Sequence, residues 1–487
     1  MKILITYPPI ETKKGVPLLS QNRQFQYFKT PTFIYPVVPA YAATLLKQDG
    51  FDVFWKDCIA ERIGYEEFFD FVKRKNPDLI AIETKTPVVK QHWDTINKLK
   101  LANENLKIIL FGDHVTALPE ESFENSKVDF VLTGGDYDFL LLNLANVLRD
   151  RASMTTLESG IYYREGSVIK NSGKFKLNHN LDSLPFIDRE LTNWRYYAYK
   201  NGNFKRTPGA YIMSGRDCWW SKCSFCSWST LYPTFRVRSP ENVLSEIEEL
   251  SSVYGVREIM DDTGTFPTGR WLFEFCQGMI KKKLNKRLYI DCNMRFGALN
   301  QQEYSLMKKA GFRLILFGLE SANQKTLDKI NKNLKVEEII SSCKMAKKAG
   351  LFPHITLMFG YPWETLEEAK KTLKLGQWLL NKGFAYTMQA TIVIPYPGSA
   401  LYKECAENDL LNTYNWSDYD MKSAVMKLQF PSKNLMRLVQ EIYSVSFTPK
   451  FIFNKLISIR DVEDVIYFIK AFFKVIGHIF DFAGTNR

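Results

Sequence analysis

"GAYIMSGRDCWWSKCSFCSW", residues 209–228, runs from a short apolar stretch into a loop that carries three cysteines in nine positions. The spacing is CxxxxCxxC, made by Cys218, Cys223 and Cys226. A structural zinc site closes with four Cys or His ligands, and the nearest histidines along the chain are distant, at His179 and His354. A loop flanked by Arg216 and Lys222 activates thiols rather than hiding them, which argues against an inert cluster. A [4Fe–4S] cluster held by three cysteines keeps one iron open, as substrate-activating chemistry requires. Zinc and an inert thiol cluster are the rival readings of these residues.

Outward from this loop the chain alternates. "GAYIMSG" is followed by "REIMDD", "LYIDCNMR", "RLILFGLES", "HITLMFGYP" and "YTMQATIVIPYP". Between these strand patterns lie helical ones such as "SPENVLSEIEELSSVYG" and "TLEEAKKTLKLGQWLLNKG", each with an N-cap Ser or Thr and a closing Gly. Six β/α units in order predict a partial, TIM-like (β/α)6 barrel over 207–400. Its active site belongs at the C-terminal strand ends, where the unusual polar clusters fall.

Residues 1–150 show a second alternating series: "KILITY", "DVFWKD", "DLIAIET", "KIILFG" and "DFVLTG". Strands separated by helical stretches predict a doubly wound, Rossmann-like α/β domain. Ligands on such sheets sit at the carboxyl ends of the strands, in loops beginning at Tyr7, Asp57, Thr84, Gly112 and Thr133. Residues 151–206 are irregular and read as a linker, and 401–487 as a mostly helical region.

The 487 residues suffice for several domains, and 45% hydrophobic with 14% aromatic residues describe a globular chain. "MKILITYPPI" lacks the features of a secretory signal, and no long uncharged apolar run appears, so a cytoplasmic location is expected. Scattered single cysteines (58, 276, 292, 343, 405) suit a reducing compartment. The net charge of +12 allows an anionic partner, but "KKKLNKR" (281–287) reads as a solvated helix end. No nucleic-acid partner is expected.

Taken together, these residues resemble the radical S-adenosylmethionine (radical SAM) enzymes, in the subgroup with an N-terminal cobalamin-binding domain. The resemblance covers nearly the whole chain, with one departure: the family's usual spacing is CxxxCxxC, and "WWSK" adds a residue to the first gap. It implies that Cys218, Cys223 and Cys226 bind a [4Fe–4S] cluster and that Phe225 lies by the adenine of S-adenosylmethionine. "MDDTGTF" resembles the motif whose acid, Asp261 or Asp262, meets the cofactor's amino group. "NMRFG" places Arg295 where a cation can hold a carboxylate, and "FGLES" supplies Glu320 and Ser321 for ribose or methionine groups. "LMFGYPWET" resembles the motif whose backbone near Gly360 packs on adenine, and "IPYPGSALY", with Pro397 and Gly398, is typical of the subgroup.

For the first domain the resemblance implies cobalamin beside the strand-end loops, at Tyr7, Pro8, Thr84, Gly112, Thr133 and Gly134. DxHxxG is absent, since none of the five histidines (92, 114, 179, 354, 478) has an Asp two residues before it. The implication is cobalt with no histidine beneath it; His114 is the nearby candidate against this. "TGGDYDF" stands where a GEGE-like sequence is usual, so Asp136 and Asp138 are expected to substitute. The activity implied is cleavage of S-adenosylmethionine to a 5′-deoxyadenosyl radical for C–H activation, with C-methylation of a small-molecule or lipid substrate foremost. Radical cyclisation or oxidation without methyl transfer, and RNA modification, are the alternatives. A flavodoxin or ferredoxin would supply electrons. "EDVIYFIKAFFKVIGHIF" (463–480) spaces Lys470, Lys474 and His478 four apart on an apolar helix. It either packs on the barrel or touches a membrane surface, the latter fitting a polyisoprenoid or hopanoid substrate.

Overall fold

Parallel strands covered on both faces read as continuous apolar runs, and two such runs build the centre of the first domain. KILITY forms β1 (Lys2–Tyr7), buried beyond its first residue, and LIAIE forms β3 (Leu79–Glu83), buried throughout. The computed structural model describes residues 1–19, 25–29, 31–199 and 204–481, with side chains described as far as Phe473 apart from those at 443, 446 and 447. β1 pairs with β2 (Asp52–Asp57) on one side and with β3 on the other, so the chain reverses direction across the sheet between β1 and β3. β4 (Lys107–Phe111) and β5 (Phe130–Leu132) continue outward, giving the parallel order β2-β1-β3-β4-β5. In this topology the ligand crevice opens at the carboxyl ends of β1 and β3.

The sheet does not stop at residue 150. β6 (Ile161–Glu165) pairs antiparallel with β5, and β7 (Val168–Asn171) pairs with β6. Part of the expected linker is therefore a hairpin of the first domain. Its two-residue turn uses Gly166 at φ 61°, and its strands carry the aromatic and β-branched residues that suit a sheet edge. Farther on, buried Arg189 donates to the carbonyl of Tyr211 and to Glu246, fastening the rest of the connector to the second domain.

That second domain is a six-stranded, all-parallel sheet in sequential order: β8 (Gly209–Ile212), β9 (Glu258–Asp261), β10 (Tyr289–Met294), β11 (Phe312–Glu320), β12 (Phe352–Phe359) and β13 (Thr387–Ile392). Each strand coincides with one of the six apolar patterns of the sequence, β11 and β12 beginning one and two residues before theirs. The result is the partial barrel expected, followed by a helical C-terminal region. At the N-terminal mouth, Arg313 bonds both Glu258 and Asp291, a fully buried ion triad.

The helix Val462–Asp481 packs on that mouth through its first turns. Asp461, Glu463 and Asp464 pair with Arg206, Arg257 and Lys205. Packing on the barrel is thus real for its acidic start, while Val465, Ile466, Ile469, Phe472 and Phe473 remain exposed. The side chains of Lys474 and His478 lie outside the described residues. Among the described residues no helix is long and apolar enough to cross a membrane.

Candidate cluster and cofactor site

The cysteine loop leaves β8 and is fixed from several directions. Cys218 Sγ lies 3.1 Å from Thr265 Oγ1 in the loop after β9, the Cys226 amide donates to the carbonyl of Cys223, and the Ser224 amide donates to that of Ile330. Gly264 has no room for a side chain, because a Cβ would stand 2.5 Å from the Asp217 carboxylate, to which its amide donates. The extra residue in the first gap is accommodated by Ser221 at φ 44° and by Trp220, whose Nε1 donates to the Asn331 carbonyl at 2.9 Å. All three thiols are half-buried, and the five remaining cysteines are buried and separate.

Burial pushes the Cys226 thiol up to about 12, and burial likewise raises Cys223, with the neighbouring thiols adding to both. Thiols that raise one another in this way ionise readily only beside a cation, so three soft sulfur donors on one loop fit an iron–sulfur cluster. Among the described residues no three His, Cys, Asp or Glu side chains converge on a single-ion site.

Around this loop the strand ends divide into groups that are already engaged and groups beside the cysteines. Asp261 accepts from the Ser214 amide and hydroxyl and from the Thr263 amide, and burial raises its carboxyl. It therefore holds β8 and β9 together, and Asp262 is the neighbouring buried acid at that strand end. Arg295 donates to the carbonyls of Lys332 and Asn333 and lies 4.3 Å over Trp220; burial lowers its guanidinium. It braces the cysteine loop against backbone. Ser321, fully buried, donates to Glu364. Glu320, at φ 61°, receives Lys332 Nζ at 2.8 Å, and Gly318 leaves the space that the pair needs. Burial opposes the charge on Lys332, but Glu320 and Cys223 more than offset it and raise its pKa. Nothing in the sequence singled out Lys332, since "INKNLK" reads as an ordinary helix end. Phe225 is half-buried beside the core, and Gly360, at φ 97°, backs onto Leu435.

In the first domain Tyr7 bonds Glu83 at the β1/β3 crevice, with Pro8 buried beside it. Thr84 bonds His92 Nδ1 at 2.8 Å, and Gly112, at φ 127°, passes so close that a Cβ would strike the Thr84 carbonyl. Thr133 and Gly134 instead contact Gly160, Thr116 and Phe175, and so face protein. His114 is fully buried with Nδ1 on Thr86 and Nε2 on Glu121.

The carboxyl ends of both sheets meet along one seam. Ser227, next to Cys226, donates to Asp113 at 3.3 Å; Lys85 lies 3.8 Å from Asp113 and over the ring of Trp228. The Gly135 amide donates to the Leu231 carbonyl, and Gly398 packs against Thr230 and Ala117. Thr230 keeps a buried hydroxyl without a hydrogen-bond partner at this seam. Asp136 and Asp138, which stand where a GEGE-like sequence is usual, bind Arg216 across the domains, and Asp136 also binds Arg236 and His179. Their position at the start of the helix Tyr137–Asp150 aims them at the barrel, so they clamp the cysteine loop to the first domain. Small or polar strand ends and an unsatisfied hydroxyl fit a corrin, whose rim is lined with neutral amides.

The Radical SAM superfamily model matches residues 212–376, and the B12 binding domain model matches residues 29–139. The barrel is a radical SAM domain, and the domain before it is a B12-binding domain. Among similar chains is an uncharacterized methyltransferase of Pyrococcus horikoshii, 28% identical over 466 residues and covering 92% of each chain. An anaerobic magnesium-protoporphyrin IX monomethyl ester cyclase of Cereibacter sphaeroides is 25% identical over 80% of this chain and 63% of its own. The fold is that of the radical S-adenosylmethionine methyltransferase TsrM of Kitasatospora setae, solved with cobalamin and a [4Fe–4S] cluster, at a TM-score of 0.68 and 13% identity over 92% of this chain and 89% of that one. This chain is an enzyme whose cofactors are a [4Fe–4S] cluster, S-adenosylmethionine and cobalamin.

Proposed function

We propose that this radical SAM enzyme methylates an unactivated carbon of a small-molecule or lipid substrate. The observation that carries the reading is the shared seam, which sets the crevice of the first sheet against the three-cysteine loop. When bound, the cluster and S-adenosylmethionine supply a 5′-deoxyadenosyl radical, and cobalamin supplies the methyl group.

The residues divide the remaining work. Cys218, Cys223 and Cys226 hold the cluster. Asp262 takes the amino group of S-adenosylmethionine, because Asp261 is committed to Ser214 and Thr263. Lys332, rather than Arg295, is the cation for its carboxylate, since Arg295 is tied to two carbonyls while Lys332 carries one partner, Glu320, beside Cys223. Glu320 orients Lys332 and the ribose, and Phe225 with the Gly360 backbone borders the adenine. Tyr7, Thr84 and Gly112 line the cobalamin crevice. His114 and His179 would not serve as cobalt ligands, because both ring nitrogens of each are bound within the protein, while His92, on Thr84 through Nδ1, keeps a buried Nε2 without a hydrogen-bond partner. A flavodoxin or ferredoxin supplies the electron.

Anaerobically reconstituted protein, given a low-potential reductant, S-adenosylmethionine and methylcobalamin, is expected to release 5′-deoxyadenosine. With a substrate present, S-adenosylhomocysteine should accumulate in step with it. Zinc in place of iron would end the proposal. 5′-Deoxyadenosine without S-adenosylhomocysteine would mean cyclisation or oxidation, the reading that the cyclase relative favours.

A further inference from the structure

Ten of the eighteen large hydrophobic side chains left exposed among the described residues fall between Ile452 and Phe473, and the other eight are scattered over the rest of the chain. A solvent-exposed concentration of this kind marks an interaction surface. It is built by the helices Pro449–Leu456 and Val462–Asp481. Phe453, Ile469, Phe472 and Phe473 are each more than half exposed. The acids of this region, Asp461, Glu463 and Asp464, are neutralised by Arg206, Arg257 and Lys205 of the barrel. The exposed cations Lys450, Arg460 and Lys470 therefore set the sign of the remaining surface.

We infer that this face docks on a lipid bilayer rich in anionic phospholipid. An apolar helix face bordered by lysine and arginine lies in the interface between headgroups and acyl chains, where burial of the apolar side chains and attraction to anionic lipid act together. Charge complementarity selects the bilayer over a second copy of this chain, because two copies meeting face to face would bring Lys450, Arg460 and Lys470 against their own equivalents. The helix lies along the surface, since no described helix is able to cross. The acidic first turn holds it to the N-terminal mouth of the barrel, so docking leaves the seam at the opposite strand ends unobstructed. This inference does not depend on methyl transfer.

The test is co-sedimentation of the full-length, cluster-loaded chain with vesicles of phosphatidylcholine alone or mixed with phosphatidylglycerol. Binding is expected to the mixed vesicles, to weaken at high salt, and to fall roughly ten-fold or more in Ile469→Asp/Phe473→Asp. Phe273→Asp, at an exposed apolar residue elsewhere, should bind as the parent does. Circular dichroism and cluster absorbance show whether each variant is folded, and Lys450→Glu/Lys470→Glu, which leaves the apolar side chains in place, should lose the preference for anionic lipid. Absence of binding to either vesicle would overturn the inference. So would equal binding by parent and Ile469→Asp/Phe473→Asp, or a dimer of the parent that this variant dissolves.

Discussion

Burial raises the thiols of Cys276 and Cys405 as it raises those of Cys223 and Cys226, so it is a shared loop that sets Cys218, Cys223 and Cys226 apart from the other five cysteines. Only the loop trio can share one cluster. Cys218→Ala, Cys223→Ala or Cys226→Ala is each expected to abolish iron and sulfide incorporation and the absorbance near roughly 400 nm. Cys276→Ala and Cys405→Ala should retain both, and equal loss in all five would refute the assignment. His114 offers a second test at this scale. Its ring is enclosed by Trp93 and Trp416 and bonded at both nitrogens. His114→Gln should cost about 1–3 kcal/mol of stability, read by denaturant unfolding, while the Co(II) resonance spectrum shows no nitrogen splitting in parent or variant. The histidine question was open in the sequence because "GDHV" gives the residue a strand-end position but not the direction of its ring.

At the scale of elements, the clamp between the helix Tyr137–Asp150 and the cysteine loop is the largest departure from sequence expectation. Arg216 is almost wholly buried between Asp136 and Asp138, so Arg216→Met strands the buried Asp138 carboxylate and takes from Asp136 one of its cationic partners, leaving it Arg236 and His179. A loss of about 3–5 kcal/mol is expected, with the two domains melting separately in calorimetry. Asp138→Asn/Arg216→Gln, which removes one charge of each sign, should recover part of it. The same clamp carries a pH dependence. Burial disfavours a charged His179, but hydrogen bonds to Asp136 and Glu158 prevail and raise its pKa to about 9. Arg236, which binds both Asp136 and the His179 carbonyl, and Arg216 are the other charges facing it. A raised folded pKa stabilises below the unfolded value of about 6.5, and that stability is lost as pH rises through about 9. Thermal stability should therefore fall across this window, and His179→Gln should flatten the fall. An unchanged slope in the variant would place the titration elsewhere.

For the whole molecule, the cysteine loop is one wall of the seam, so a cluster held there is expected to couple cofactor loading to domain docking. Removing iron with a chelator should lower the melting temperature by roughly 5 °C or more, and in Arg216→Met the effect should be confined to the barrel transition. Sequence periodicity determined the parallel strands of both sheets and the position of their strand-end loops, since buried parallel strands and amphipathic helices each impose a repeat that survives without coordinates. Cysteine spacing singled out the loop proposed to hold the cluster. The hairpin of β6 and β7 was also legible, in the Gly166–Ser167 turn between two strand-like runs, but the irregular residues around it obscured it. Lys332 beside Glu320, Arg295 on backbone carbonyls, and Asp136 and Asp138 on Arg216 were decided only by the tertiary structure. These residues lie 12 to 80 positions from their partners, and for a buried charge the partner, which no local pattern encodes, determines whether it binds a cofactor or holds two domains together.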